Sequence, residues 1–229
     1  MKHLKITICL TNWKRPENLD RIIDILYAQS LSVEIFLWNN GEPYLNSKIN
    51  WLVHSSLNKF CIPRWFMAMY AKTEYVCILD DDIIFNDNNL LRDAINILKV
   101  ENESTIIGLT GVKLSEDGSY INGQHIYCYM APNLSNIYVD IIKGSFMLMR
   151  TKPLIDTLAH ARIKDDVSDD ISMSYYMAKG SRKHHLCLAS FGNRITSLGN
   201  DEVALWKNET HFMRRDNVCK ELFIKNITT

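Results

Sequence analysis

Long apolar runs are missing from this sequence of 229 residues. No stretch of about eighteen consecutive apolar residues occurs, and the opening MKHLKITICLTNWK alternates polar and apolar side chains, so neither a membrane-spanning helix nor a signal-peptide core is expected. An excess of one charge is missing too. Lys plus Arg and Asp plus Glu both number 26, so no overall field draws the chain onto nucleic acid or a membrane, although local patches stay possible. Paired cysteines are absent: Cys9, Cys61, Cys77, Cys128, Cys187 and Cys219 lie far apart without a CxxC, which argues against a zinc site or a disulfide framework and for buried, reduced thiols. Glycine is scarce, at 9 residues, and none lies between Leu10 and Arg21, where a Gly-rich phosphate loop would belong. Four N-x-S/T sequons (Asn102, Asn133, Asn208, Asn226) would matter only in a secreted chain, and a cytoplasmic location is expected. With 47% apolar residues and no repeat or linker, one compact domain over 1–229 is expected.

Alternation of strand and helix is what the first third does contain. Residues 5–10 (KITICL) read as a buried strand. After Pro16, Leu19, Ile22, Ile23, Leu26 and Tyr27 recur at helical spacing, and 33–38 form a second strand ending in the turn signal Asn39-Asn40-Gly41. A helix follows Pro63, and YVCIL is the next strand. Such repetition implies right-handed crossovers and a largely parallel sheet whose ligands sit at the carboxyl ends of its strands. Thr11-Asn12-Trp13, Asn39-Asn40 and Asp80-Asp81-Asp82 should therefore meet at one crevice. The second half is less regular: a helix around 90–98, strands over 106–114, 137–142 and 146–149, a helix over 169–179 ending at Gly180, and a late helix over 202–216.

Three constellations carry chemistry. YVCILDDDIIF sets three adjacent carboxylates against a buried strand, where they repel one another and need a positive partner. A hard divalent cation that leaves positions open for phosphate oxygens would supply it; the plainer alternative is a turn in which Asp bonds its own backbone. KDDVSDDISM offers a second acidic cluster, read either as Ser168 capping a helix with acids in its first turn or as carboxylates facing a reacting carbon and its acceptor hydroxyl. In LWKNETHFMRRD, His211, Arg214 and Arg215 fall within one helical turn, as a solvated charged face or a cationic face for a phosphate leaving group. Lys179, Arg182, Lys183, His184 and His185 read as an exposed helix end and loop able to hold an anionic acceptor.

Taken in order, TNWKRPENL, LWNNG, LDDDIIF, SDDISMSYYMAKG and ALWKNETHFMRR resemble the exostosin-like N-acetylhexosaminyltransferases of the GT-A superfamily. The bacterial heparosan-type N-acetylglucosaminyltransferases are similar around LDDDII and LWKN. The likeness runs over about residues 5–220. It implies an α/β GT-A (Rossmann-like) fold, a mixed, mostly parallel central sheet flanked by helices, with a nucleotide-binding half over 1–82 and an acceptor-side half over 83–229. It also implies a UDP-sugar donor whose diphosphate is bridged by Mn2+ or Mg2+. By position, Thr11, Asn12 and Arg15 would cup the nucleotide, Asn39 or Asn40 would reach its base, and Asn58 and Arg64 would lie near the donor. Asp82 with Asp80 would ligate the metal, Asp80 would also approach the ribose or sugar hydroxyls, and Asp81 would belong to the donor-binding set. Gly144-Ser145-Phe146 would line the cleft, Asp169 and Asp170 would be the catalytic acidic pair with Asp170 foremost, and Arg215 with His211 would face the diphosphate.

The implied reaction is metal-dependent glycosyl transfer with retention. The expected acceptor is a glycan on which Trp13, Trp65 or Trp206 could stack; DNA bearing hydroxymethylated bases, in a viral enzyme, is the alternative, and a nucleotidyltransferase a second one. The segment LNKFCIPRWF is poorer in Arg than its family counterpart, and the paired cysteines of secreted animal members are missing, which fits the cytoplasm of a bacterial or virus-infected cell.

Overall fold

The computed structural model describes residues 4–130, 134–198, 207 and 209–224. Its first half alternates β1 (Lys5–Trp13), α1 (Pro16–Tyr27), β2 (Ser32–Asn40), β3 (Trp51–Ser55), α2 (Pro63–Ala68) and β4 (Tyr75–Asp80). β5 (Ile83–Phe85), α3 (Leu90–Leu98), β6 (Ile107–Gly108), β7 (Thr110–Lys113) and β8 (Gln124–Tyr127) follow. Then come β9 (Ile137–Val139), β10 (Ile141–Ile142), β11 (Phe146–Arg150), α4 (Thr151–Leu158), α5 (Asp169–Met177), β12 (His185–Cys187), β13 (Ile195–Ser197) and α6 (His211–Phe223).

β3, β2, β1 and β4 run parallel at one side of an eight-stranded sheet of order β3-β2-β1-β4-β11-β6-β12-β9, with β11 and β9 reversed. The largely apolar runs of β1 and β4 follow from burial on both faces. Ile6, Ile8, Leu10, Cys77 and Leu79 pack with the apolar stripe Leu19, Ile22, Ile23 and Leu26 of α1 and with α3. Cys9, Val76 and Ile78 point the other way, onto Trp65 and Met67 of α2, Leu154 of α4 and Met173 of α5. Pro16 and Pro63 sit at the first turns of α1 and α2, where the missing N–H costs nothing. All six cysteines are free thiols.

The register brings the expected strand ends level. Thr11 lies opposite both Trp38 and Asp80, and Asn12 opposite Asn39.

Two expected strands divide. The run 106–114 becomes β6 in the large sheet and β7 in a three-stranded sheet of order β10-β7-β8, and the run 137–142 likewise becomes β9 and β10. Apolar composition alone does not mark such a switch of sheets. Its anchor is polar: the fully buried Asp140 accepts the amides of Leu114 and Lys183, each at 2.7 Å, and pairs with Arg182 at 2.8 Å. The late helix also starts later than expected, at His211, because Val218, Cys219, Leu222 and Phe223 are the residues that bury against Ile171, Tyr120 and Tyr175. Residues 202–206 and 208 of the expected span, including Trp206, lie outside the described residues.

The basic run 179–185 is exposed only in part, since His185 is fully buried in β12. Its Nδ1 accepts the Ile106 amide at 3.0 Å and its Nε2 faces the Ser174 carbonyl at 2.7 Å, which fixes the Nε2–H tautomer. Burial pushes its pKa down to about 3. A group that stays neutral when folded but protonates near 6.5 when unfolded contributes stability that is complete above the unfolded value and is lost as pH falls below it. The stability advantage of the wild type over His185→Gln, measured by urea unfolding, is expected to be about 2 kcal/mol smaller at pH 5 than at pH 7.5. A constant difference would show that His185 does not resist protonation.

Candidate active site

At the carboxyl end of β4 the three carboxylates meet two arginines. Asp81 is buried and accepts the Trp13 amide at 2.7 Å and Arg15 Nη1 at 2.5 Å, while its backbone carbonyl accepts Asn18 Nδ2 at 2.9 Å. It ties β1 and the start of α1 to β4. Asp82 lies 3.3 Å from the same Arg15 nitrogen. Asp80 accepts Arg64 Nη1 at 2.7 Å. The side chains of Asp80 and Asp82 are 31% and 18% exposed, against 6% for Asp81, so the outer two face the cleft and the middle one the protein.

Burial raises the Asp80 pKa to about 7, against the pull of Arg64 and with added repulsion from Asp82, Asp169 and Asp170. Burial likewise lifts Asp81 to about 6 against Arg15 and the Trp13 amide.

Arg64 is itself buried and uses its whole fork. Nε and Nη2 donate to Asp169 Oδ2 at 2.9 and 2.8 Å, and Nη1 donates to Asp80 and to the Gly144 carbonyl, the latter at 2.9 Å. Trp65 Nε1 donates to the same Asp169 oxygen at 2.6 Å. One guanidinium thus joins the end of β4, the β10–β11 turn and the start of α5. Gly144 is glycine for a steric reason: a Cβ there would lie 2.2 Å from Arg64 Nη2.

The neighbouring Asp170 makes a second, separate pair. Its Oδ2 accepts the Gly144 amide at 2.9 Å and Arg215 Nη2 at 2.8 Å, and Arg215 Nη1 donates to the Val167 carbonyl at 2.7 Å. Burial alone would raise the Asp170 pKa, but the charge and hydrogen bond of Arg215, with Arg64 and the Gly144 amide, bring it below the usual carboxylate range. The Arg215 guanidinium lies 4.8 Å from the Tyr120 ring centre. Ser168 makes no side-chain cap to α5, and its hydroxyl is buried without a hydrogen-bond partner; both acids lie in the first turn of α5, where Asp170 Oδ1 accepts the Ile171 amide at 2.8 Å. Arg214 turns away to Asp165 and Asp166, at 2.7 and 2.6 Å.

The other residues expected here occupy supporting places. Asn12 donates to Asn39 at 2.6 Å, and Asn39 donates to the Glu42 carbonyl at 2.7 Å and contacts His54. Asn40 accepts from Trp38 Nε1 and the Lys59 amide, with its Nδ2 buried and unpartnered, as is Thr11 Oγ1. Asn58 holds the Phe60 amide at 2.8 Å in the turn leading to α2. His211 opens α6; its Nδ1 is buried without a partner, and burial beside Arg215 lowers its pKa to about 4. Two partners are not foreseen from the sequence, Trp65 on Asp169 and Tyr120 beneath Arg215; adjacency of Trp65 to Arg64 is the one available signal. A hollow of about 380 Å³ bordered by Glu74, Arg150, Lys152 and Asp156 lies at the opposite ends of β4 and β11. Parallel sheets bind ligands at the carboxyl ends of their strands, so the carboxylate cluster is the better candidate.

Removing one partner of a buried ion pair strands the other charge. Asp169→Ala is expected to destabilise the chain by about 3–5 kcal/mol in urea unfolding, and Asp81→Ala by a comparable amount, whereas Asp82→Ala at the cleft should cost less than about 1 kcal/mol. Equal losses for all three would contradict this division into anchors and cleft-facing groups.

The glycosyl transferase family 64 domain profile matches residues 6–226. Comparison by sequence with curated proteins finds no match. Among solved structures, the mannosyltransferase PcManGT from Pyrobaculum calidifontis, in complex with GDP-Man and Mn2+, is similar with TM-score 0.56 and 13% identity over 82% of this chain and 55% of that one. Residues 1–349 of S. aureus TarS are similar with TM-score 0.54 and 13% identity over 81% of this chain and 58% of that one. The chain thus spans little more than half the length of either structure. Both likenesses are to the GT-A type of fold, and the family match sets aside the nucleotidyltransferase alternative. With a profile covering residues 6–226, the chain belongs to glycosyl transferase family 64.

Proposed function

We propose that this chain transfers a sugar from a UDP-sugar to a glycan hydroxyl with retention of anomeric configuration, using Mn2+ or Mg2+, as an exostosin-like member of its family. One observation carries the reading: two cleft-facing carboxylates, Asp80 and Asp82, stand at the end of a parallel strand, and the Asp170–Arg215 pair is tied to the same Gly144 turn.

The residues fit a divalent cation. Asp80 and Asp82 raise each other's cost of ionisation, which a doubly charged ion would relieve. Among the described residues no three His, Cys, Asp or Glu side chains form a closed cage, so the remaining ligand positions would fall to phosphate oxygens and water, the arrangement that Mg2+ favours. When bound, the cation would neutralise charge on the diphosphate. PcManGT, in complex with Mn2+ and a nucleotide sugar, supports this for the fold.

The protein groups divide the rest of the work. Arg215, fixed by Asp170 and the Val167 carbonyl, presents a guanidinium to the departing diphosphate. Asp170, kept ionised, stabilises an oxocarbenium-like carbon or orients the acceptor. Asp169, with three N–H groups on one oxygen, acts as a positioning residue for Arg64 and α5. Thr11 and Asn40 offer buried, unpartnered polar atoms beside the strand ends, suited to a nucleoside.

A thermal-shift screen of UDP- and GDP-sugars with and without Mn2+ tests metal, base and sugar together, because a ligand that binds only the folded chain raises its midpoint. UDP-sugars with Mn2+ should stabilise most; a larger shift with GDP-mannose would transfer the donor assignment to guanine. Asp82→Ala should abolish the Mn2+-dependent part of the shift. Asp170→Asn should leave the shift intact and lower turnover by about 100-fold or more. Wild-type turnover in either variant would sink the assignment.

A further inference from the structure

Lys143 follows β10 and precedes Gly144. Its amide donates to the Thr110 carbonyl at 2.9 Å, which continues the β10–β7 ladder, and Thr110 is paired with Tyr127 of β8. Residues directly opposite in antiparallel strands share a face. Lys143, Thr110 and Tyr127 therefore form one row, beside the row Ile141, Val112 and His125. Ile141 and Val112 are covered by the apolar side of α6, while His125 meets Phe212 at its start, with ring centres 6.4 Å apart. The small sheet thus turns polar where α6 presents His211 and Arg215.

In this row Lys143 is clamped by neutral groups. Its Nζ lies 2.6 Å from the Tyr127 hydroxyl and 3.1 Å from His125 Nδ1. His125 Nε2 is 2.8 Å from the Tyr120 carbonyl, an oxygen that can only accept, so Nε2 carries the proton and Nδ1 is the acceptor. Among the described residues Lys143 makes no ion pair with a carboxylate. A half-buried ammonium without a counterion is costly. The groups around it are Arg215 and His211 on α6, Asp170 on α5, His125 and Tyr127 on β8 and Cys187 on β12. Both histidines have lowered pKa values, so at neutral pH Arg215 and Asp170 are the charged members. Burial and Arg215, partly offset by Asp170, bring Lys143 down to about 7.

We propose that Lys143, held by His125 and Tyr127 beside the Asp170–Arg215 pair, accepts the proton of the acceptor hydroxyl during transfer. The inference rests on the glycosyl-transfer reading. In the step, the acceptor oxygen bonds to the anomeric carbon, the bond from that carbon to the phosphate oxygen breaks, the nucleoside diphosphate leaves with the electron pair, and the hydroxyl proton moves to neutral Nζ. Water then removes the proton from the ammonium. In the proposed step Lys143 and Arg215, whose charge acts on it, serve one face of the sugar, as retention requires.

Two measurements test this. In protein labelled with 13C-lysine, the resonance lost in Lys143→Arg should titrate near pH 7; titration above pH 9 would overturn the proposal, whatever the donor. With the donor identified by the nucleotide-sugar screen, Lys143→Arg keeps the charge but cannot serve as a neutral base, and should lose about 100-fold in kcat. Its Mn2+-UDP thermal shift should match wild type, and small primary amines should partly restore Lys143→Ala. Retained turnover in Lys143→Arg, or a lost Mn2+-UDP shift that makes Lys143 a phosphate ligand, would overturn the assignment. If the wild type turns over no nucleotide sugar, the reading beneath it falls as well.

Discussion

The fork of Arg64 is the constraint on which the site depends. Asp80 ends a strand of the parallel half, Gly144 lies in a turn of the antiparallel half, and Asp169 opens a helix, with no sequence neighbour in common. A buried guanidinium with donors to all three fixes their spacing to hydrogen-bond length. Such pairs are weak sources of net stability, because desolvation of both charges offsets their attraction. Their value here is geometric: displacing any one of the three segments would leave Arg64 short of an acceptor, and displacing α5 would strand the buried Asp169, so alternative placements of α5 against the sheet are disfavoured.

Carboxylates and arginines are then allotted in a definite order. Asp81, the inward member of its cluster, and Asp169, with three donors on one oxygen, serve as ties. Asp80, Asp82 and Asp170 are the carboxylates to which the proposed transfer assigns chemistry. Their environments push them apart: Asp80 is held toward its protonated form by burial and by its acidic neighbours, whereas Asp170 is held ionised by Arg215. Separation of this kind among neighbouring carboxylates marks a division of roles.

The parallel half of the fold is legible in the sequence because burial on both faces leaves an unmistakable apolar run, and because register then depends on strand length. Thr11 and Asp80 come level, with Asn12 and Asn39 paired one residue further on. The antiparallel half is not legible. β6 and β7 lie in one stretch of sequence that reads as a single strand, yet they belong to different sheets, and the switch is set by Asp140, whose partners Leu114, Arg182 and Lys183 are distant in sequence. The same limit hides His185, which sits in a basic run but is closed off from solvent, and Trp65, whose indole nitrogen rather than its ring is the functional part. Charged residues show in a sequence; their partners do not.

Lys143 shows the effect of withholding a partner. Several lysines nearer the surface of this chain pair with acids, as Lys48 does with Asp24 and Lys164 with Glu221. Lys143 is given a phenol and an imidazole, and the nearest guanidinium repels it. A tertiary structure that only needed a cation there could have kept it charged with one more acid. Without that acid the amine stays near the balance point between its two forms, which is of use only where a proton has to move.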